Sequence, residues 1–282
     1  MSGAIVEFPN NGTTGNGYLA VPASGSGPGV IVLQEWWGLV DHIKAVADRF
    51  AAEGFVALAP DLYHGESTTS PDDAGKLMMA LDIGRVEQDL RGAIDSLLAR
   101  DEVTSARVGT VGFCMGGQLS LYAACENRSV SACVVFYGIH PNVTPNLSAL
   151  EAPVLGFFAE KDEFVPPAAA RQLEADLKAA GKTATITIFD GADHAFFNDT
   201  RAEVYDKVHA ATCWSRMLAF AVSISDSGLL GWLSRLRSWQ LFVVAGVLFV
   251  VDVLVPDPIP FIDEVMLGLA TLIMARWKRR RA

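Results

Sequence analysis

The chain has 282 residues, of which 51% are hydrophobic and 19% charged, and a formal net charge of −10. The charge is uneven: residues 1–222 carry 15 Lys/Arg against 27 Asp/Glu, hence −12, whereas residues 223–282 carry seven against five. An acidic body repels phosphates and argues against a nucleic-acid partner, and Cys114, Cys125, Cys133 and Cys213 form no CxxC pair or zinc spacing, so no metal is expected.

The opening MSGAIVEFPNNGTTG lacks a basic region and an apolar run. It does not read as a signal peptide, and free thiols then fit a reducing cytoplasm. GVIVLQE (29–35) reads as a buried strand, HIKAVADRFAAEG (42–54) as an amphipathic helix closed by Gly54, and FVALAP (55–60) as a strand that Pro60 ends. A polar stretch with Pro and Gly follows, then a helix from about Arg85 to Arg100. ARVGTVGF (106–113) is a strand running into a helix at QLSLYAACE (118–126). SACVVFYG (131–138) and APVLGFFAE (152–160) are strands, PPAAARQLEADLKAAG (166–181) a helix and TATITIFD (183–190) a strand. A helix from about Arg201 to Val222 closes the body. Strands alternating with helices of this length predict an α/β fold, a mainly parallel sheet with helices on both faces.

The composition changes after Ser223. Residues 223–238 read as a linker and amphipathic lead-in, and 239–282 as a two-helix hairpin with a basic end. Its segments, 239–255 and 259–277, would span about 26 and 29 Å as helices, near a bilayer core of roughly 30 Å. Val255-Pro256-Asp257-Pro258-Ile259-Pro260 breaks them apart. Arg235 and Arg237 flank one end and Lys278 to Arg281 the other, with Trp239 and Trp277 at matching levels. The expectation is a lipid-bilayer anchor through residues 239–277 with both ends on the cytoplasmic side of the membrane. A soluble helical pair packed on the body is the alternative.

Gly112-Phe113-Cys114-Met115-Gly116 has the form glycine, any residue, nucleophile, any residue, glycine, at a strand-to-helix junction. Glycines permit the sharp turn there, and the start of the following helix favours a thiolate. The plain alternative is a buried cysteine in a tight turn. Asp162 follows the strand 152–160 and His194 the strand 183–190. That places nucleophile, acid and histidine in the chain order this architecture requires, all at one edge of the sheet. Glu35 ends the first buried strand, where a charge is costly without a partner or a function.

These residues resemble the dienelactone hydrolase family, thiol members of the α/β-hydrolase superfamily, from about Ile5 to Ala221. The resemblance rests on Gln34-Glu35-Trp36-Trp37-Gly38, Ala59-Pro60-Asp61-Leu62-Tyr63, Gly112 to Gly117, Lys161-Asp162 with Val165-Pro166, and Gly191 to Phe196. It implies an α/β-hydrolase fold and hydrolysis of a small carboxylic ester or lactone without a cofactor. Cys114 would attack the carbonyl, His194 serve as base and then acid, Asp162 orient it, and Glu35 hold the resting thiol. The N–H groups of Trp36 and Met115 would form the oxyanion hole. Trp37, Tyr63, His64, Phe196 and Asn198 are candidate pocket residues. The chain departs from the family at Asn198, where an arginine gripping an anionic substrate is expected four residues after the histidine. The competing expectation is a non-catalytic binding module localised to the membrane by its tail.

Overall fold

The computed structural model describes residues 3–10 and 12–225, with side chains as far as Ala221. In chain order they form β1 (Ala4–Asn10), β2 (Thr13–Ala20), β3 (Gly29–Leu33), α1 (Asp41–Ala52), β4 (Val56–Pro60), α2 (Pro71–Ala80), α3 (Ile83–Leu98) and β5 (Val108–Phe113). Then come α4 (Met115–Glu126), β6 (Val130–Phe136), β7 (Val154–Ala159), α5 (Pro167–Ala179), β8 (Ala184–Phe189) and α6 (Lys207–Ser225). The strands make one sheet in the order β1-β2-β4-β3-β5-β6-β7-β8. β1 and β2 pair antiparallel, as do β2 and β4, and every pair from β4 to β8 is parallel. This is the α/β-hydrolase fold that the resemblance implies, built on the mainly parallel sheet that the alternation of elements predicts.

Alternate strand residues feed two cores, because successive side chains on a strand face opposite ways. Ile31 and Leu33 pack with residues of α3, α4 and α5, such as Leu90, Leu119 and Leu177. Val30 and Val32 pack on the other face with Val46 and Phe50 of α1 and Cys213 and Met217 of α6. Covered on both sides, β3 and β4 are buried at every residue, so their sequences read as unbroken apolar runs.

Four elements differ from the sequence reading. The β1–β2 hairpin has no counterpart there, although Asn11-Gly12 between alternating residues is a hairpin signal. α2 occupies the polar stretch: Pro71 sits in its first turn, the Ser70 hydroxyl accepts from the Asp73 N–H, and Asp72 and Asp73 complement the helix dipole. α4 starts at Met115, three residues before the expected Gln118. α6 starts at Lys207 because Asp206 accepts the N–H groups of Val208 and His209, and it runs to Ser225, three residues into the expected linker.

Among the described residues no helix is long and apolar enough to cross a membrane. The expected hairpin, residues 239–282, lies outside the described residues.

Candidate active site

β5 ends at Phe113 and α4 opens at Met115, so Cys114 alone makes the turn, with φ 52° and ψ −119°. A non-glycine residue there is strained, and such strain persists only when the surroundings enforce it. The surroundings are backbone. A Cβ on Gly112 would sit 1.8 Å from the Gly116 carbonyl oxygen, one on Gly116 2.4 Å from that of Gln34, and one on Gly117 2.6 Å from that of Phe136. The Cys114 N–H donates to the Phe136 oxygen at 3.0 Å, tying the turn to β6. The sulfur stands at the positive end of the twelve-residue α4, and Met115, its first residue, offers an N–H with no acceptor within the helix.

Asp162 lies in the loop after β7 and is buried. Its Oδ1 accepts the N–H groups of Phe164 at 2.9 Å and Val165 at 2.8 Å, which turns Oδ2 toward His194 Nδ1 at 2.7 Å. His194 lies in the loop after β8. Burial pulls its pKa down, but hydrogen bonds to Asp162 and Cys114, and the charges of both, outweigh this and raise it to about 10. Three groups from three strand ends thus converge, with the imidazole between sulfur and carboxylate. Burial pushes the Cys125 and Cys133 thiols up to about 12 and about 11, and that of Cys213 higher still, so these three remain protonated at neutral pH.

Glu35 is buried two residues beyond β3. Its Oε2 accepts from Asn198 Nδ2 at 2.7 Å, while Oε1 has no partner among the described residues. Asn198 is fixed in turn: its Oδ1 accepts from the Thr200 N–H at 3.0 Å and hydroxyl at 2.6 Å, so only its NH2 is left for Glu35. The buried Tyr137 phenol is raised well above its ordinary pKa by burial first, then by the charges of Glu35, Cys114 and Cys213. Sequence reasoning missed Tyr137 and Thr200. Tyr137 has φ 36° and its ring lies 4.9 Å from that of His194, and neither property leaves a trace in the sequence.

The other expected pocket residues separate. Trp37 and Asn198 line a cleft of about 580 Å³. The Trp36 ring lies 5.1 Å from that of Trp37 and 6.2 Å from that of Phe164, itself 5.0 Å from the imidazole. Tyr63 is buried behind the site, its hydroxyl 3.2 Å from Met115 Sδ. His64 turns away, with Nε2 3.0 Å from Asp89 Oδ2 on α3. Phe196 is wholly buried, its ring 5.4 Å from that of Phe189, 5.5 Å from that of Tyr137 and 6.5 Å from that of Phe136. A cavity of about 680 Å³ near Pro9 and Arg91 contains none of the converging groups; the cleft of about 580 Å³ contains none either, but Asn198 in its wall bonds Glu35. Among the described residues no cluster of three His, Cys, Asp or Glu is arranged to hold a metal.

Residues 16–224 match the dienelactone hydrolase family, and residues 232–281 match a separate family of unknown function. The chain is 39% identical to Protein usf of Aquifex pyrophilus over 77% of this chain and 97% of that one. It is 36% identical to an Aquifex aeolicus protein provisionally named carboxymethylenebutenolidase, with the same coverage. A crystal structure of a Klebsiella pneumoniae protein, provisionally described as a dienelactone hydrolase, superposes with a TM-score of 0.69 at 32% identity, covering 78% of this chain and 99% of that one. With the family matched over most of its length, the chain belongs to the dienelactone hydrolase family and is a hydrolase of the lactone and ester class.

Proposed function

We propose that this hydrolase cleaves carboxylic esters or lactones through a thiol mechanism built on Cys114, His194 and Asp162. The observation that carries the reading is His194, held at 2.7 Å by Asp162 and interacting with Cys114, which helps to raise its pKa. A carboxylate at Nδ1 fixes the tautomer and supports the imidazolium, leaving Nε2 for the sulfur. The Cys114 thiol gives its proton, by way of Glu35, to His194, the sulfur attacks the carbonyl carbon and the C=O electron pair moves to oxygen. The Trp36 and Met115 N–H groups receive that oxyanion, each worth about 3 kcal/mol in such sites. Collapse expels the alkoxide, which takes the proton from His194. Water then attacks the thioester, gives its proton to His194, and the acid departs as the thiol is restored. Glu35 assists by holding the resting thiol and passing its proton on to His194, for which its unpartnered Oε1 is suited.

The test assays the full-length chain on p-nitrophenyl acetate beside Cys114→Ser and His194→Ala, with circular dichroism as the check on folding. Both substitutions should lower kcat/KM on the order of 10³-fold or more, as for nucleophile and base positions elsewhere. Full activity in a folded Cys114→Ala chain would overturn the thiol mechanism. Family membership and the converging groups favour an enzyme over a non-catalytic binding module. For residues 239–277 the reading remains a bilayer anchor with the enzyme on the cytoplasmic side, supported by two apolar segments with basic flanks in the sequence.

A further inference from the structure

The cleft beside Glu35 has a chemistry that the hydrolytic groups do not use. Its lining includes Trp37, whose ring lies 5.9 Å under the Arg201 guanidinium, and the hydroxyl-bearing Ser67, Thr68, Thr69 and Thr200 with Asn198. The Ser67 and Thr69 hydroxyls make no hydrogen bond among the described residues. Those of Thr68 and Thr200 are engaged, one accepting from the Ser70 N–H and the other donating to Asn198. The charged groups at the rim are paired among themselves. Lys44 meets Asp41 at 3.2 Å, and Arg201 meets Glu203 at 2.9 Å. An anion entering here would compete with carboxylates already seated on those cations. A group rich in neutral hydroxyls faces no such competition. It meets free donor-acceptor hydroxyls and a broad indole against which its C–H faces can pack.

Resting on the thiol-hydrolase reading, we propose that this cleft is the subsite for a hydroxyl-rich, uncharged part of the ester, a sugar or polyol moiety. Its place fits that role. Asn198 forms cleft wall on one side and holds Glu35 on the other, and the ring of Trp37 adjoins that of Trp36, whose N–H faces the oxyanion in the reading above. A volume of about 580 Å³ accommodates one such ring, within the usual range for small-ligand sites. It also accounts for Asn198 standing where a gripping arginine is expected: a neutral substrate needs no cation there.

The experiment compares 6-O-acetyl glucose with ethyl acetate as substrates of the full-length chain, in wild type, Ser67→Ala and Thr69→Val. Wild type should prefer the sugar ester by about tenfold in kcat/KM, a difference of roughly 1.4 kcal/mol and of the size one or two neutral hydrogen bonds supply. The preference should fall severalfold in each variant, mainly through KM. Equal rates on both esters in wild type would overturn the subsite and leave the hydrolase standing. Methyl glucoside titrated into the Cys114→Ala chain and followed by saturation-transfer NMR reads the cleft without turnover. Saturation that Thr69→Val weakens supports the subsite even if no ester is cleaved, the result that defeats the thiol mechanism. No saturation in wild-type or Cys114→Ala protein counts against it.

Discussion

His194 shows how one side chain ties stability to chemistry. Its pKa is raised to about 10 because Asp162 and Cys114 outweigh the effect of burial, whereas an unfolded histidine titrates near 6.5. The sign follows. The stabilisation from the charged ring is complete below about pH 6.5 and is lost as pH rises through about 10. Asp162→Asn should therefore flatten the fall in Tm between pH 7 and 10, as read by scanning calorimetry across that range. The same variant should lose on the order of 10³-fold or more in kcat, since an amide in place of the carboxylate favours the wrong tautomer. An unchanged Tm slope in Asp162→Asn would show that the pair is not the source. Asn198 gives a second case. Asn198→Leu keeps the branched outline but removes the NH2 bonded to Glu35 and the oxygen bonded to Thr200, and should cost about 1–3 kcal/mol in urea denaturation. A variant as stable as wild type would mean that Glu35 finds another donor.

The turn between β5 and α4 is where element geometry decides activity. Gly116→Ala would bring a Cβ to 2.4 Å from the Gln34 oxygen and 2.5 Å from the Leu33 oxygen, both backbone and unable to swing aside. β3 and α4 must then part, carrying Glu35 and Trp36 away from the sulfur. We expect a loss of more than about 3 kcal/mol and of activity together, with thermal unfolding and ester assay as the paired readouts. A variant that unfolds as wild type but is inactive would place the constraint on the site alone. Much of this level was legible in the sequence, because β3, β4, β5 and β7 are buried on both faces and announce themselves as apolar runs. The β1–β2 hairpin was not. Its burial alternates irregularly, and glycines at 12, 15 and 17 dilute the pattern. α2 was hidden for another reason: of its ten residues only Ala74 is buried, so it lacks the apolar stripe by which helices are recognised.

For the molecule as a whole, the chain order predicts that Cys114, Asp162 and His194 meet at one edge of the sheet, and the structure brings them together because each follows a strand of one parallel sheet. What the order could not convey is how loops fold back. Asn198 reaches Glu35 across 163 positions of sequence, Phe196 enters the core, and His64 pairs with Asp89. At this scale the tail makes its own prediction. The full-length chain should co-float with phospholipid vesicles and a chain ending at Ser225 should not, while both hydrolyse a soluble ester at similar rates. Equal recovery in the lipid fraction would remove the anchor.

β8, which leads to His194, is an edge strand paired among the described strands with β7 alone, whereas β5, which leads to Cys114, lies deep inside the sheet. The nucleophile and its base therefore hang from parts of the protein with different resistance to local opening. Amide hydrogens of residues 184–189 should exchange with deuterium faster than those of 108–113, because edge strands open without global unfolding. Warming then separates base from sulfur while the sheet's interior stays paired. Turnover should fade several degrees below the loss of ellipticity and return on cooling, which makes catalysis a thermometer of fraying at one edge.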